Sequence, residues 1–358
     1  MFVYFANIAL IFFWGIVLLK YKPSEKKKKA YCGIVALQWI LISGLRSPYM
    51  SADIYINYFR YFEDVKTTSW AEIFNNIFKY MSNLGNNNTG IDDPGYALFV
   101  KLCQIFSDNF QVFLLLVAIA FTVPMAIWIY KNSEAPDLSF VLYSSLFYSF
   151  FALTGLRQTI ATAIIVFCGY NFIKNKKYVK FALLAFVAFL VHKSAISFIP
   201  YALIANISFS WIYFAIALVF IVGFFWVGDS IYVPIVQFIG YEDNLLSDNK
   251  ANASVYALLM LGICFLIIVF FPMINRRRPD AKNWFNLLLL SILTILLVFQ
   301  AQEFMRIQQY FTLSFMILLP EVVMCINKKY RNAVHYAAIA VMTMYLIYNH
   351  PTYMFFWQ

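Results

Sequence analysis

Charge is what this sequence has least of. Only 12% of its 358 residues are Asp, Glu, Lys or Arg, against about 25% in an ordinary soluble domain. So few cannot coat a water-facing surface, which excludes a cytosolic enzyme. Cysteine is sparse too. Cys32, Cys103, Cys168, Cys264 and Cys325 form no CxxC pair, and four lie in or beside apolar runs. They read as small buried hydrophobes, not as a disulfide or metal framework. HExxH, GxSxG, a P-loop and zinc-spaced Cys/His arrays are all missing, so no metal and no cofactor is expected. Disorder is excluded by an aromatic content of 20%.

What is present is hydrocarbon, with 63% hydrophobic residues and a mean hydropathy of +0.71. Runs of roughly 15–21 apolar residues, long enough to cross a bilayer as helices, recur along the chain. They fall at 2–20, 30–46, 110–130, 139–155, 157–174, 178–192, 196–207, 211–227, 255–273, 283–302, 306–326 and 334–348. The fold class expected is therefore an all-α polytopic membrane protein with about twelve transmembrane helices, forming a single membrane domain over 1–358. Segment 196–207 is short and contains Pro200. Segment 96–107 is equally short and more interrupted, and it is placed at the interface. Met1 to Leu19 lacks a basic n-region and a small-residue cleavage site, so it reads as a first span.

The net charge of +10 is not a nucleic-acid signal, because the cations sit in short clusters between apolar runs. One set of loops holds Lys20, Lys22, Lys26–Lys29, Lys131, Lys174, Lys176, Lys177, Lys180, Arg276–Arg278, Lys282, Lys328, Lys329 and Arg331, most of the 27 Lys and Arg. By the positive-inside rule that side is cytoplasmic and both termini lie outside. Counting 96–107 as a span would mix the clusters.

Two polar insertions fall on the external side, 47–95 and 228–254. The first carries Tyr55, Tyr58, Phe59 and Phe62 at helical spacing. A second stripe follows, with Trp70, Ile73, Phe74, Ile77, Phe78 and Met81 behind a Ser69/Glu72 capping box. These read as amphipathic helices covering the outer face, or as a lid over a lipid-linked substrate.

With ionisable residues so few, those at span ends carry the functional signal. The topology rests on cation distribution alone, yet it gathers Arg46, Arg157, Arg306 and His192 at one external depth, with Asp53 and Glu303 nearby. Guanidinium forks match phosphate oxygens, and Arg157 opens a helix whose N-terminal amides favour an anion. Three such arginines suit a diphosphate, while a nearby base takes a proton from a sugar hydroxyl. That is metal-independent glycosyl transfer from a lipid diphosphate. The competing readings are ordinary ones. A span-end arginine snorkels or caps carbonyls, Asp53 pairs with Arg46 or Arg60, Glu303 pairs with Arg306, and Asp93 shapes a turn before Pro94–Gly95. A flippase or other transporter of lipid-linked oligosaccharide and a membrane acyltransferase of glycans are the alternative functions. Transporters tend to place polar groups near mid-membrane, whereas these lie at span ends.

The elements GLR at 44–46 with Asp53 and Tyr55, DPGY at 93–96, LRQTIA at 156–161, HKSA at 192–195 and FMRIQQYF at 304–311 resemble, in order, those of the EpsG family of Wzy-type exopolysaccharide polymerases. An Asn-rich insertion before DPGY departs from the family pattern. The resemblance implies a bacterial inner-membrane glycosyltransferase with a GT-C-like bundle and its active site facing the extracytoplasmic side. It implies transfer of a growing glycan from undecaprenyl diphosphate to the terminal sugar of an incoming lipid-linked repeat unit. It also implies membrane lipid, a chain-length regulator and other exopolysaccharide assembly proteins as partners, and no nucleic acid. Carried onto matching positions, Arg157 and Arg306 hold the diphosphate with Arg46 in support. His192 is the first choice of base, Asp53 the second and Glu303 a third. Gln158, Tyr55, Asp93 and Tyr310 are the candidate sugar or lid contacts.

Overall fold

The computed structural model describes residues 2–20, 24–83, 93–207, 250–278, 280–299 and 304–358, with a few isolated positions between 215 and 230. The expected span at 211–227 and most of the 228–254 loop lie outside the described residues. Among the described residues there is no strand, only an isolated antiparallel bridge between Arg46 and Phe355.

The helices are α1 (Phe2–Lys20), α2 (Glu25–Gly44), α3 (Arg60–Thr67), α4 (Trp70–Ser82), α5 (Pro94–Gln104) and α6 (Phe110–Asn132). After them come α7 (Pro136–Leu142), α8 (Tyr148–Leu153), α9 (Leu156–Lys174), α10 (Tyr178–Val191) and α11 (Lys193–Ile204). The chain closes with α12 (Lys250–Arg277), α13 (Ala281–Val298), α14 (Met305–Thr312), α15 (Phe315–Cys325) and α16 (Lys328–Asn349).

Five of these, α1, α6, α9, α12 and α13, are long and apolar enough to cross a membrane. A sixth joins them if α14 and α15, bent by 44° at their junction, form one broken span. The protein is a polytopic membrane protein, and among the described residues helix length and apolarity support five to six spans. The expected count of about twelve includes a run outside the described residues and helices shorter than a full crossing, such as α10 and α11. Segment 306–326 is the bent α14–α15 pair, and 196–207 lies mostly in the short α11.

Burial separates centre from periphery. In α9 and α13, 72% and 78% of the span is buried, against 28% in α1. Without water inside the bilayer, helix association rests on close packing rather than apolar burial. The centre packs accordingly: Tyr170 of α9 stacks on Trp284 of α13 at 4.1 Å, and Trp128 of α6 meets Trp284 edge-on at 5.3 Å.

Among the described residues, helix ends that carry the cation-rich loops meet one another. At the lysine-rich end, Arg278 donates to Glu321 (2.8 Å) and to the Asn132 carbonyl (2.6 Å), and Lys174 pairs with Asp280 (2.7 Å). This ties together the ends of α6, α9 and α15 and the start of α13. The opposite end holds the close of α2 and the starts of α5, α6, α9 and α14.

The amphipathic helices of the 47–95 insertion are there. Ser69 Oγ accepts the Glu72 N–H at 3.2 Å, so it caps α4 as its position predicts. The short α5, 11 residues long, packs against α3, α4, α6 and α10. Its approach to α10 depends on one glycine. A Cβ at Gly95 would meet the Leu190 backbone at 2.7 Å. Gly95→Ala therefore has to push α5 off α10, at about 1–3 kcal/mol, and lowers the thermal unfolding temperature in detergent. Gly33→Ala, inside α2 where nothing lies within 4 Å, is the control and does not lower it, since alanine favours the helix.

Candidate active site

At the end opposite the lysines, three chain segments meet on one carboxylate. Asp93 precedes Pro94, the first residue of α5, and its backbone is left-handed (φ 50°, ψ 53°). Its carboxylate makes no cap to its own helix. Instead Oδ1 accepts the Lys193 N–H at 3.1 Å, and Oδ2 lies 2.9 Å from His192 Nδ1 and 3.2 Å from an Arg157 Nη. Asp93 is 5% exposed and His192 8%. Burial by itself pushes the Asp93 carboxyl up. The bond and charge of His192, the Arg157 guanidinium and the Lys193 amide outweigh it and hold the carboxyl below its usual range.

The position of His192 follows from where α10 stops. His192 caps that helix with extended backbone (φ −160°, ψ 119°), its N–H still bonding the Ala188 carbonyl, and the chain turns at once into α11. The imidazole is thus fixed between two helices and faces α5 where Gly95 lets the backbones approach.

Arg157 is the second residue of α9, behind Gly155, whose left-handed conformation (φ 46°) makes the sharp entry from α8. Its guanidinium lies over the rings of Tyr61 (4.9 Å) and Tyr96 (5.4 Å), a geometry that favours a cation. About a quarter of the side chain, 26%, is exposed. The fork is therefore clamped by two rings and one carboxylate, with part of it at the surface.

The amides at the start of α9 are partly taken. Asp53 Oδ2 accepts the Gly155 N–H at 3.3 Å while Asn57 steadies Oδ1 at 2.8 Å. Neither Arg46 nor Arg60 makes that contact, so Asp53 acts as a carboxylate cap on the helix that presents Arg157. Tyr58, 8% exposed, lies within the fields of Asp53, Arg157 and Arg306. Burial first, then Asp53, raises the hydroxyl above its ordinary value.

Arg306 belongs to the same cluster through the backbone: the buried Gln158 side chain donates to its carbonyl, and its own side chain is exposed. Tyr310, fully buried, exchanges a hydrogen bond with Ser194 at 3.0 Å and fastens α14 to α11. Gln158 and Tyr310 are thus braces between helices. Tyr55 lies in an aromatic row between the exposed Tyr49 (4.6 Å) and the half-buried Phe59 (6.0 Å).

Arg46 is placed elsewhere. It is 1% exposed and donates to the Ser43 carbonyl at the end of α2, near Tyr4, Tyr143, Tyr148 and Tyr353. The C-terminal tail closes over it, with Phe356 N–H on the Leu45 carbonyl (3.0 Å) and Ser47 N–H on that of Met354 (2.8 Å). This is the carbonyl-capping role, and it removes Arg46 from the exposed cationic cluster. Glu303 lies outside the described residues.

From sequence Tyr58 reads only as part of an amphipathic stripe and Asp93 first as a turn former, while Tyr61 and the Lys193 amide are not singled out. The available signal was the three-residue spacing of Tyr58 and Tyr61, which puts both on one helical face. Among the described residues no group of three or more His, Cys, Asp and Glu is arranged to hold a metal ion.

No curated protein and no solved structure matches the chain. The model of the EpsG family matches residues 29–357, nearly the whole chain and all the segments that build this cluster. That match covers nearly the whole of a helical, apolar chain, and the protein is a member of the EpsG family of Wzy-type polymerase-like membrane proteins.

Proposed function

We propose that the protein is a polysaccharide polymerase of the bacterial inner membrane, working at the outer leaflet. It transfers a growing glycan from undecaprenyl diphosphate to the terminal sugar hydroxyl of a lipid-linked repeat unit. The observation that carries this reading is the continuous chain His192–Asp93–Arg157, at 2.9 and 3.2 Å, which puts a base and a phosphate-matching cation on one carboxylate.

Donation of Nδ1–H to Asp93 leaves Nε2 as the basic nitrogen of His192. It takes the proton of the acceptor hydroxyl as that oxygen bonds the anomeric carbon, and Asp93 steadies the imidazolium. The bond from the anomeric carbon to the phosphate oxygen breaks, and its electron pair leaves with the diphosphate. Arg157, with Arg306, stabilises the charge that gathers there. A single displacement of this kind inverts the anomeric centre. Asp53 serves by capping the Arg157 helix rather than as the base.

The test is direct. Purified protein incubated with a lipid diphosphate-linked repeat unit is expected to yield a ladder of oligomers. Movement of the lipid between leaflets with no ladder would overturn the reading in favour of a flippase. In the same assay His192→Ala lowers turnover about 10²- to 10⁴-fold, the usual weight of a general base. Unimpaired turnover would remove the histidine from the chemistry. EDTA leaves the rate unchanged, and strong inhibition would mean that a metal takes part.

A further inference from the structure

The helices that meet at His192 diverge below it. Between α10 and α11 they leave an apolar slot of about 520 Å³. Its walls are Ala182, Ala185, Phe186, Phe189, Ile196 and Leu203, among others. Small alanines on one wall make it a recess rather than a flat helix face. The far end is closed where Asn206 Nδ2 donates to the Tyr178 hydroxyl at 3.2 Å. The near end adjoins the site: Tyr80 of α4 lies against Phe189 at 5.9 Å, and Ile196 stands three residues after Lys193, whose amide holds Asp93. From Tyr178 to Phe189 the slot runs about 17 Å at 1.5 Å per residue, more than half of the ~30 Å hydrocarbon thickness of a bilayer.

We propose that this slot holds the first isoprene units of a polyprenyl diphosphate whose phosphates lie at Arg157. The inference rests on the lipid-diphosphate reading above and names where that lipid's chain goes. The walls offer side chains without hydrogen-bonding groups, apart from the tyrosine engaged at the far end, so a glycan or nucleotide finds no partners there. A hydrocarbon does. A substrate with its diphosphate on the Arg157–Asp93–His192 cluster must pass its first carbons into the membrane close by, and this recess opens from the turn that holds Asp93. Bulk phospholipid touches every lipid-facing helix but has no reason to prefer a recess tied to that turn.

The experiment uses the full-length protein in phosphatidylglycerol nanodiscs and an undecaprenyl diphosphate bearing a diazirine near its phosphate end. Cross-links are expected on residues 182–203. Excess unlabelled undecaprenyl diphosphate is expected to reduce them at least tenfold, and the same excess of phosphatidylglycerol to leave them unchanged. Ala182→Phe, at an exposed wall position, lowers labelling about fivefold or more while the unfolding temperature holds. Labelling spread evenly over membrane-facing positions such as Leu37 and Val269, or equal competition by phospholipid, overturns the proposal. The arms separate the two claims: a ladder without slot labelling overturns the slot alone, and slot labelling without a ladder overturns the polymerase reading alone.

Discussion

Asp93→Asn is expected to cut polymerisation about 10²- to 10⁴-fold while the protein still folds. Asparagine keeps the shape and still accepts the Lys193 N–H, which comes from backbone. Its amide, however, turns a donor toward His192 Nδ1. The imidazole must then accept at Nδ1 and carry its proton on Nε2, the nitrogen needed to take the hydroxyl proton. The measurement is the initial rate of ladder formation, with thermal unfolding alongside. A normal rate would sink the pairing of Asp93 with a basic histidine. Asp93→Ala differs, because it leaves the His192 imidazole, the Arg157 guanidinium and the Lys193 N–H without their carboxylate and costs about 3–5 kcal/mol of stability.

The same carboxylate sets an acid limit. Its folded pKa is depressed, so its stabilising contribution is complete above the unfolded value of about 3.9. It is lost as pH falls through the lower folded value. Thermal unfolding of the wild type should therefore fall with pH below about 4, and Asp93→Asn should remove that component of the slope.

Arg157→Ala is the second large effect. Losing a positioned donor to developing charge costs about 10²- to 10³-fold, so polymer is expected to vanish while protein level and single repeat units persist. Arg157→Lys restores only part. Lysine keeps the charge but lacks the planar fork, and it fills the space between Tyr61 and Tyr96 poorly. Normal chain length in Arg157→Ala would remove the diphosphate role and leave the arginine as a partner for Asp93.

The sequence was most informative where chemistry is rare. In a chain with 12% charge, an arginine or histidine at a span end stands out, and Arg157, His192 and Arg306 were legible for that reason. Asp93 was less so. It lies 99 residues from His192, and nothing local tells a turn-forming aspartate from one whose carboxylate reaches another helix. Their meeting depends on α5 pressing against α10 at Gly95. Arg46 shows the reverse. Its GLR setting matches that of Arg157, yet it turns back on its own helix under the C-terminal tail.

Composition and the spacing of cations determined that this is a helical membrane protein and which loops share an end, because both follow from the cost of placing charge in hydrocarbon. Which of those polar side chains touch was decided only by helix packing. A span end fixes depth, while rotation about the helix and the closeness of its neighbours fix direction.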